Sequence, residues 1–524
     1  MSAQPILPTE ANCSSADRTV RAAKTASVAV LQACISMVLG LLSVPILVRS
    51  LGREAYGEWL LMLQVVSYIA LVDFGNASIA KLKLASLSDD SPEPKRDILT
   101  TTLLGVLITT PVVALFGAAV SAFWFARYGG AEQSSIPFSL PVLALVASFL
   151  VMRFNSLPVF ALFGSNQEYR SAFVNVVIST ANSVADMIVA WSGLGTLGLA
   201  ITRLTANALS GCSLHWIARK NVPWYGLSRF DWMNLTPMLQ QNSLCLFAQW
   251  GYLLAESVDV LVVGLTAGAA AVPVYTITTA LPRLLFMLYY QAMTGADAGM
   301  VGLFGSGNRQ RFHFIRTQQE VMTAACLAII GAAVLAVNRQ FVGAWVGDAY
   351  YGGPVLTAVG VAWFFVVIVS RQYCRALNAA LDFKHMAVAQ VVSGVLGVGA
   401  GLVGGAVGGT IGAISALVAV RAAAAVANAR RIDKLVGVSS IEHFAKVARP
   451  LALALVCCAG GWIVGGISMP AEWSTLVLTG GLTAASAAAV MWFLGMSAST
   501  RADIVGRVMH LKNRVRGLRG TVAA

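Results

Sequence analysis

The sequence predicts an all-α polytopic membrane protein of about 14 transmembrane helices, and three observations carry the prediction. Of 524 residues, 57% are hydrophobic and only 11% charged, against about 25% charge in an ordinary soluble domain. The mean hydropathy is +0.74, and the apolar residues fall into stretches of roughly twenty, each long enough to cross a hydrocarbon core of about 30 Å. The 36 Lys and Arg residues crowd into alternate connections, leaving Arg49, Arg53, Arg127 and Arg339 in the others. That positive-inside bias predicts an even number of spans with both termini in the cytoplasm.

In order, the spans are expected near 25–48, 56–80, 99–126, 138–163, 171–191, 194–217, 242–265, 269–298, 315–337, 355–379, 387–407, 410–430, 450–468 and 474–495. The first apolar stretch is full length and lacks a small-residue cleavage site, so it reads as an uncleaved anchor. The formal net charge of +13 is accounted for by the positive-inside connections and implies no nucleic-acid partner. Seven of the eight Cys (Cys34, Cys212, Cys245, Cys326, Cys374, Cys457 and Cys458) lie inside spans without a CxxC spacing, and read as small hydrophobes.

The longer cytoplasmic connections are 81–98, 218–241 and 431–449. The middle one carries Trp224, Tyr225, Phe230 and Trp232, which suits a segment at headgroup level. It separates an N-terminal lobe, 1–228 with spans 1 to 6, from a C-terminal lobe, 229–430 with spans 7 to 12. A repeat supports the division: 51–59 (LGREAYGEW) aligns without gaps on 267–275 (AGAAAVPVY), at the turn between the first two spans of each half. The lobes therefore read as parallel repeats about an axis along the membrane normal. Spans 13 and 14, 431–495, form an appended pair. The tail, 496–524, sets Ile504, Val508, Leu511, Val515 and Leu518 at helical spacing among Arg507, Lys512, Arg514, Arg516 and Arg519, the pattern of a basic amphipathic helix on an anionic leaflet.

Charged groups at membrane depth need a partner, a wet cavity or a role. Arg153, Arg203, Arg283, Arg371, Arg375 and Arg421 lie on spans 4, 6, 8, 10 and 12, and Asp73, Asp186, Glu256, Asp259 and Asp297 on spans 2, 5, 7 and 8. Arg153, Arg203, Arg283 and Arg421 are candidates for a hydrated cationic cavity, because a planar guanidinium suits phosphate oxygens; structural ion pairs are the competing reading. Arg371 and Arg375 read as snorkelling to the interface. Glu256 and Asp259, three apart on one helix face, and Asp73 are candidates for coupling to a proton or Na⁺. Neutralisation of the pair by an arginine such as Arg283 is the alternative.

Other patterns exclude functions. Gly193 to Gly198 spells GxGxxG but sits between two spans without a preceding strand, so it is a turn. Gly401, Gly405 and Gly409, spaced by four, suit close helix packing. His215, His313, His385, His443 and His510 show no ligand spacing, so neither a metal nor a cofactor is expected. No GxSxG, P-loop or paired-carboxylate arrangement occupies a sizeable loop, so an enzyme has no place for its chemistry.

Leu51-Gly52 through Tyr56-Gly57-Glu58-Trp59, followed by Tyr68 and Asp73-Phe74-Gly75, resembles the first two spans of the polysaccharide flippases in the multidrug, oligosaccharidyl-lipid and polysaccharide exporter superfamily. Leu162-Phe163-Gly164 with Asn166-Gln167, Asp259 through Gly268 to Tyr275, and Trp345-Val346-Gly347 with Tyr350-Tyr351 resemble later turns of that family in the same order. The turn signature comprises Gly52, Gly57, Gly268 and Tyr275, and the likeness covers most of 25–430. Pro273 and the run Ala269–Ala271 depart from the family's more polar turn.

The resemblance implies a bacterial inner-membrane transporter that flips undecaprenyl-diphosphate-linked oligosaccharide by alternating access between two six-helix lobes. Its partners would be the lipid-linked oligosaccharide, membrane lipids, and polysaccharide polymerase and chain-length machinery. The arginines would then attract the diphosphate and the acids couple an ion gradient. A cation-coupled multidrug exporter of the same superfamily is the alternative; a membrane glycosyltransferase or polymerase would be expected to carry a large external loop, which this chain lacks.

Overall fold

The computed structural model describes residues 9–69, 92–128, 139–165, 167–228, 258–293, 303–467 and 472–498, with a few single residues between these ranges. Among them every long element is a helix. In chain order they are α1 (Thr9–Ile69), α2 (Pro92–Tyr128), α3 (Leu140–Gly164), α4 (Glu168–Trp191), α5 (Gly195–Asn221), α6 (Asp259–Ala267), α7 (Ala271–Thr278) and α8 (Ala280–Met293). There follow α9 (Arg309–Trp345), α10 (Gly353–Ala379), α11 (Phe383–Val436), α12 (Ser440–Gly465) and α13 (Trp473–Gly495).

Hydrocarbon leaves a backbone no partner but itself, so each crossing must be helical. Among the described residues nine helices are long and apolar enough to cross, and α7 with α8, bent by 46°, makes a tenth candidate. The two longest helices each hold two expected spans. At 61 residues, α1 would be about 90 Å long if straight, and it breaks at Gly52, where φ is 80° and ψ 172°. The 54-residue α11 breaks at Gly408 and Gly409 and folds back so tightly that a Cβ on Gly404 would lie 2.5 Å from the Gly412 carbonyl oxygen. Within α9, a π-helical stretch at Leu327–Gly331 adds a bulge where the Leu327 carbonyl meets the Cys458 thiol of α12.

The chain forms two compact units, Met1–Trp250 and Gly251–Ala524. The repeat reappears in their backbones. Gly268, between α6 and α7, has φ 85° and ψ 167°, nearly the conformation of Gly52. Both lie in a region that only glycine occupies without strain. The burial pattern follows the same register: Tyr56 and Val272, Trp59 and Tyr275, and Leu61 and Ile277 are all buried.

The packing repeats as well. In unit 1, α1 packs on α4 and α3 on α5. In unit 2, α6 packs on the first limb of α11, through Val262 against Gly401 and Thr266 against Gly405, and α10 meets the second limb through Ala376, Leu377, Ile432 and Val436. The spaced glycines of α11 thus allow close helix approach. The expected pair of extra spans, α12 and α13, packs on α9 within unit 2.

In the connection after α5, Trp224 packs on protein. Trp224 is only 5% exposed, with its indole N–H donating to Ser165 Oγ at 3.1 Å and its carbonyl accepting from Arg96 Nε at 3.0 Å. Lys95 stands over the indole ring, 5.1 Å from its centroid. Aromatic area is better buried on protein than left at an interface when its N–H finds a partner there. Phe230, Trp232 and the basic tail from Arg507 onward lie outside the described residues.

Candidate functional site

Along α4, Asn175, Ser179, Asn182, Ser183 and Asp186 recur at spacings of three and four, which puts them on one face of an otherwise apolar helix. On α5, Arg203, Asn207 and Ser210 do the same. These stripes face a groove of about 360 Å³, to which α1 adds Gln32. Amides and hydroxyls make most of the groove's lining, beside Ile178 and Ala206, with the exposed Arg203 as its cation. Polar groups here explain why α5, 27 residues long, is not among the helices apolar enough to pass as a span by composition.

One turn beyond Asn182, Asp186 is half-buried. Its carboxylate accepts from Asn182 Nδ2 at 2.9 Å and from Thr202 Oγ1 at 2.5 Å. The α3–α5 contact behind the groove is also polar: Asn155 Nδ2 donates to the Asn207 carbonyl at 2.8 Å, and Asn207 Nδ2 donates to Ser148 Oγ at 2.7 Å. Gly211 leaves the room that Asn155 needs, since a Cβ there would sit 2.3 Å from its Oδ1.

The other expected site residues are placed differently. Arg153, 4% exposed, hydrogen-bonds Thr109 and Thr110 of α2. Arg421 is buried on the second limb of α11, and neither arginine lines the groove. Asp259 accepts from the Tyr275 hydroxyl at 2.6 Å and from Arg283 Nη2 at 3.3 Å. The arginine of the neighbouring span thus forms an ion pair with it. Tyr275, of the turn signature, is fully buried in making that bond. Gly52 and Gly268 form the breaks described above, and Gly57 lies buried one turn past the first. Asp73 and Glu256 lie outside the described residues.

Arg283, Arg371 and Arg375 line one seam of unit 2. The Arg283 guanidinium lies 5.2 Å from the Phe364 ring centroid, and those of Arg371 and Arg375 lie 4.9 and 4.8 Å from that of Tyr290. Aromatic faces help to hold these cations within the bundle.

Sequence reading passed over Asn175, Asn182, Thr202 and Asn207 because uncharged polar residues carry no conspicuous signal. Their three-and-four spacing with Asp186 and Arg203 was the available one. It also missed the buried cluster of Arg316, Glu320, Asp433 and His443, whose members come from α9, α11 and α12.

The fold is shared with solved polytopic membrane transporters and flippases and matches them across most of their length. A structure of the lipid II flippase MurJ, in an inward closed conformation, matches with a TM-score of 0.61, covering 89% of this chain and 98% of that one at 12% identity. An inward-facing multidrug resistance MATE family transporter of the MOP superfamily matches with a TM-score of 0.57, covering 76% and 94% at 17% identity. A MOP superfamily transporter from Pyrococcus furiosus matches at 0.52, covering 77% and 94% at 15% identity. Among curated proteins, an uncharacterized membrane protein, EpsK of Bacillus subtilis strain 168, is 19% identical over 376 residues, 70% of this chain and 73% of that one. No protein-family model matches the sequence.

Proposed function

We propose that this protein flips a polyprenyl-diphosphate-linked oligosaccharide across the bacterial inner membrane by alternating access between its two units, for surface polysaccharide assembly. The observation that carries the reading is the groove of unit 1, where amide and hydroxyl side chains surround Arg203. A glycan head is dense in hydroxyls and its diphosphate in acceptor oxygens; neither crosses hydrocarbon without replacement hydrogen bonds. Amides and hydroxyls satisfy the sugar in either direction, and a guanidinium satisfies the phosphate in a charge-assisted pair.

The chain's length supports the same reading. The MATE structure is covered almost completely by only 76% of this chain, whereas MurJ is covered almost completely by 89%. The additional span pair α12–α13 suits a flippase with more helices than the MATE fold requires. Among the described acids, Asp186, a carboxylate at membrane depth held by two neutral donors beside the groove and near Arg203, is the one placed to exchange a proton or a monovalent cation during the cycle. The positive-inside bias puts both termini in the cytoplasm, where polymerase and chain-length machinery would be met at the membrane.

A cation-coupled drug exporter is the second reading, favoured by the several MATE structures that share the fold. Deleting the gene in its host separates the two. A flippase deletion loses surface polysaccharide and accumulates lipid-linked repeat units on the cytoplasmic leaflet. Normal polysaccharide with raised sensitivity to cationic drugs would replace this reading by the exporter.

A further inference from the structure

Unit 2 contains a second cavity, of about 590 Å³, enclosed by α9, α10, the second limb of α11 and α12. Its character is opposite to that of the groove. Phe365, Val369, Val426, Phe444, Val447 and Leu451 make most of its wall, and polar groups gather at one end, where α11 finishes and α12 begins.

At that end the carboxylates are already engaged. Arg316 donates to Glu320 Oε1 at 2.9 Å and to Asp433 Oδ1 at 2.6 Å, and His443 Nε2 lies 2.6 Å from Glu320 Oε2. Arg430 reaches the rim with an exposed side chain, beside Ser440 and Ile441 in the first turn of α12. First-turn amides of a helix point outward without intrahelical acceptors and favour an anion. Over residues 430–449 the exposed charges are Arg430, Lys434, Lys446 and Arg449 against Glu442.

Deeper in the cavity, Gln372 is 4% exposed. Its Oε1 accepts from Thr323 at 3.0 Å, while its Nε2 is buried with no hydrogen-bond partner among the described residues. A buried amide donor calls for an acceptor. The combination is a long apolar chamber, one donor part-way along it, and a cationic rim with free backbone amides. At the mouth, Val426 and Phe444 are 50% and 61% exposed.

We propose that this cavity binds one anionic glycerophospholipid. An acyl chain lies along Phe365, Val369, Val447 and Leu451, its ester carbonyl accepts from Gln372 Nε2, and its phosphate meets Arg430 and the first-turn amides of α12. A zwitterionic lipid supplies the same chain and ester but gains less at the cationic rim. The site stands apart from the transport reading, because it needs neither the groove nor a substrate.

The test is native mass spectrometry of the purified full-length chain after equilibration with vesicles of equal phosphatidylglycerol and phosphatidylethanolamine. The wild type is expected to retain one phosphatidylglycerol in preference to phosphatidylethanolamine. Val426→Trp, at a half-exposed wall position, fills the chamber, and Gln372→Leu removes the donor; each should cut retention by about tenfold (about 1.4 kcal/mol). Arg430→Ala should abolish the preference between the two lipids while leaving total retention near that of Lys434→Ala. Equal retention of both lipids by the wild type, undiminished retention in both cavity variants, or displacement of phosphatidylglycerol by added undecaprenyl phosphate would overturn the assignment.

Discussion

Asp186 in unit 1 and Asp259 in unit 2 are both carboxylates at membrane depth, and the protein treats them in opposite ways. Asp259 is 4% exposed and closed off by the Tyr275 hydroxyl and the Arg283 guanidinium. Asp186 is half-buried, held by the neutral donors Asn182 and Thr202, and stands next to a polar groove. A carboxylate with a cation in contact has its charge compensated and little reason to take up another. One whose direct donors are neutral dipoles, with Arg203 nearby at the groove, is compensated less directly and can take up a proton or cation. On the proposed reading, two units built on the same repeat divide the roles, with Asp259 serving structure and Asp186 exchange.

The largest expected effect tests that division. Asp186→Asn should abolish transport, read as restored surface polysaccharide in a deletion strain, and leave thermal stability near wild type. Asp259→Asn should keep most of the transport but lower stability by about 1–3 kcal/mol, because Arg283 and Tyr275 lose a charged acceptor. Equal loss of transport in both variants would break the comparison.

A second test concerns the repeat itself. Gly52→Ala and Gly268→Ala should each cost about 1–3 kcal/mol, measured by thermal unfolding in nanodiscs. A Cβ at either position meets nothing within 4 Å, so the cost is backbone strain alone and should be similar in both units. A large cost at only one position would separate the two turns.

Arg203→Gln should lower transport about tenfold, equivalent to about 1.4 kcal/mol, with Arg203→Lys between it and the wild type, since an ammonium lacks the bidentate fork. Arg153→Lys, away from the groove, should act on stability instead. Identical transport in wild type and Arg203→Gln would remove the groove from the pathway.

The smallest effect lies at the turn before α11, where Asp382 accepts from Arg431 Nε at 2.7 Å. Slight burial pushes the Asp382 carboxyl upward, but the hydrogen bond and charge of Arg431 outweigh it and hold the carboxyl below its ordinary value. The contact therefore contributes fully above the ordinary carboxylate value, about 3.9, and is lost as pH falls through the depressed one. With Arg431 42% exposed, that contribution is about 0–1 kcal/mol. Asp382→Asn should flatten the acid limb of the stability curve by that amount; an unchanged limb would exclude the pair as its source.

Much of the fold was legible because hydrocarbon imposes a single rule on the backbone. The expected spans coincide with helices or with limbs of helices wherever residues are described, and the breaks at Gly52, Gly268 and Gly408–Gly409 fall between expected spans. The turn at Gly193 and Gly195, both with positive φ, is the one the GxGxxG pattern was read as. Site residues were less legible. Arg203 and Arg153 look alike in sequence, each a lone arginine in an apolar span, yet one edges a groove and the other hydrogen-bonds two threonines. Trp224 was read only as part of a headgroup-level segment, and its packing against Ser165, Arg96 and Lys95 was not legible.

The sequence by itself determined that the chain crosses a membrane many times and roughly where its apolar helices lie, and it pointed to the repeat at Gly52 and Gly268. Those are properties of segment length, apolarity and local backbone freedom, which act within twenty residues. Which acid is sealed by a cation and which stays beside a groove, and how Arg316, Glu320, Asp433 and His443 come to share one buried cluster, was decided only by the tertiary structure. In that cluster the partners come from helices more than a hundred residues apart, and no local pattern encodes such a meeting.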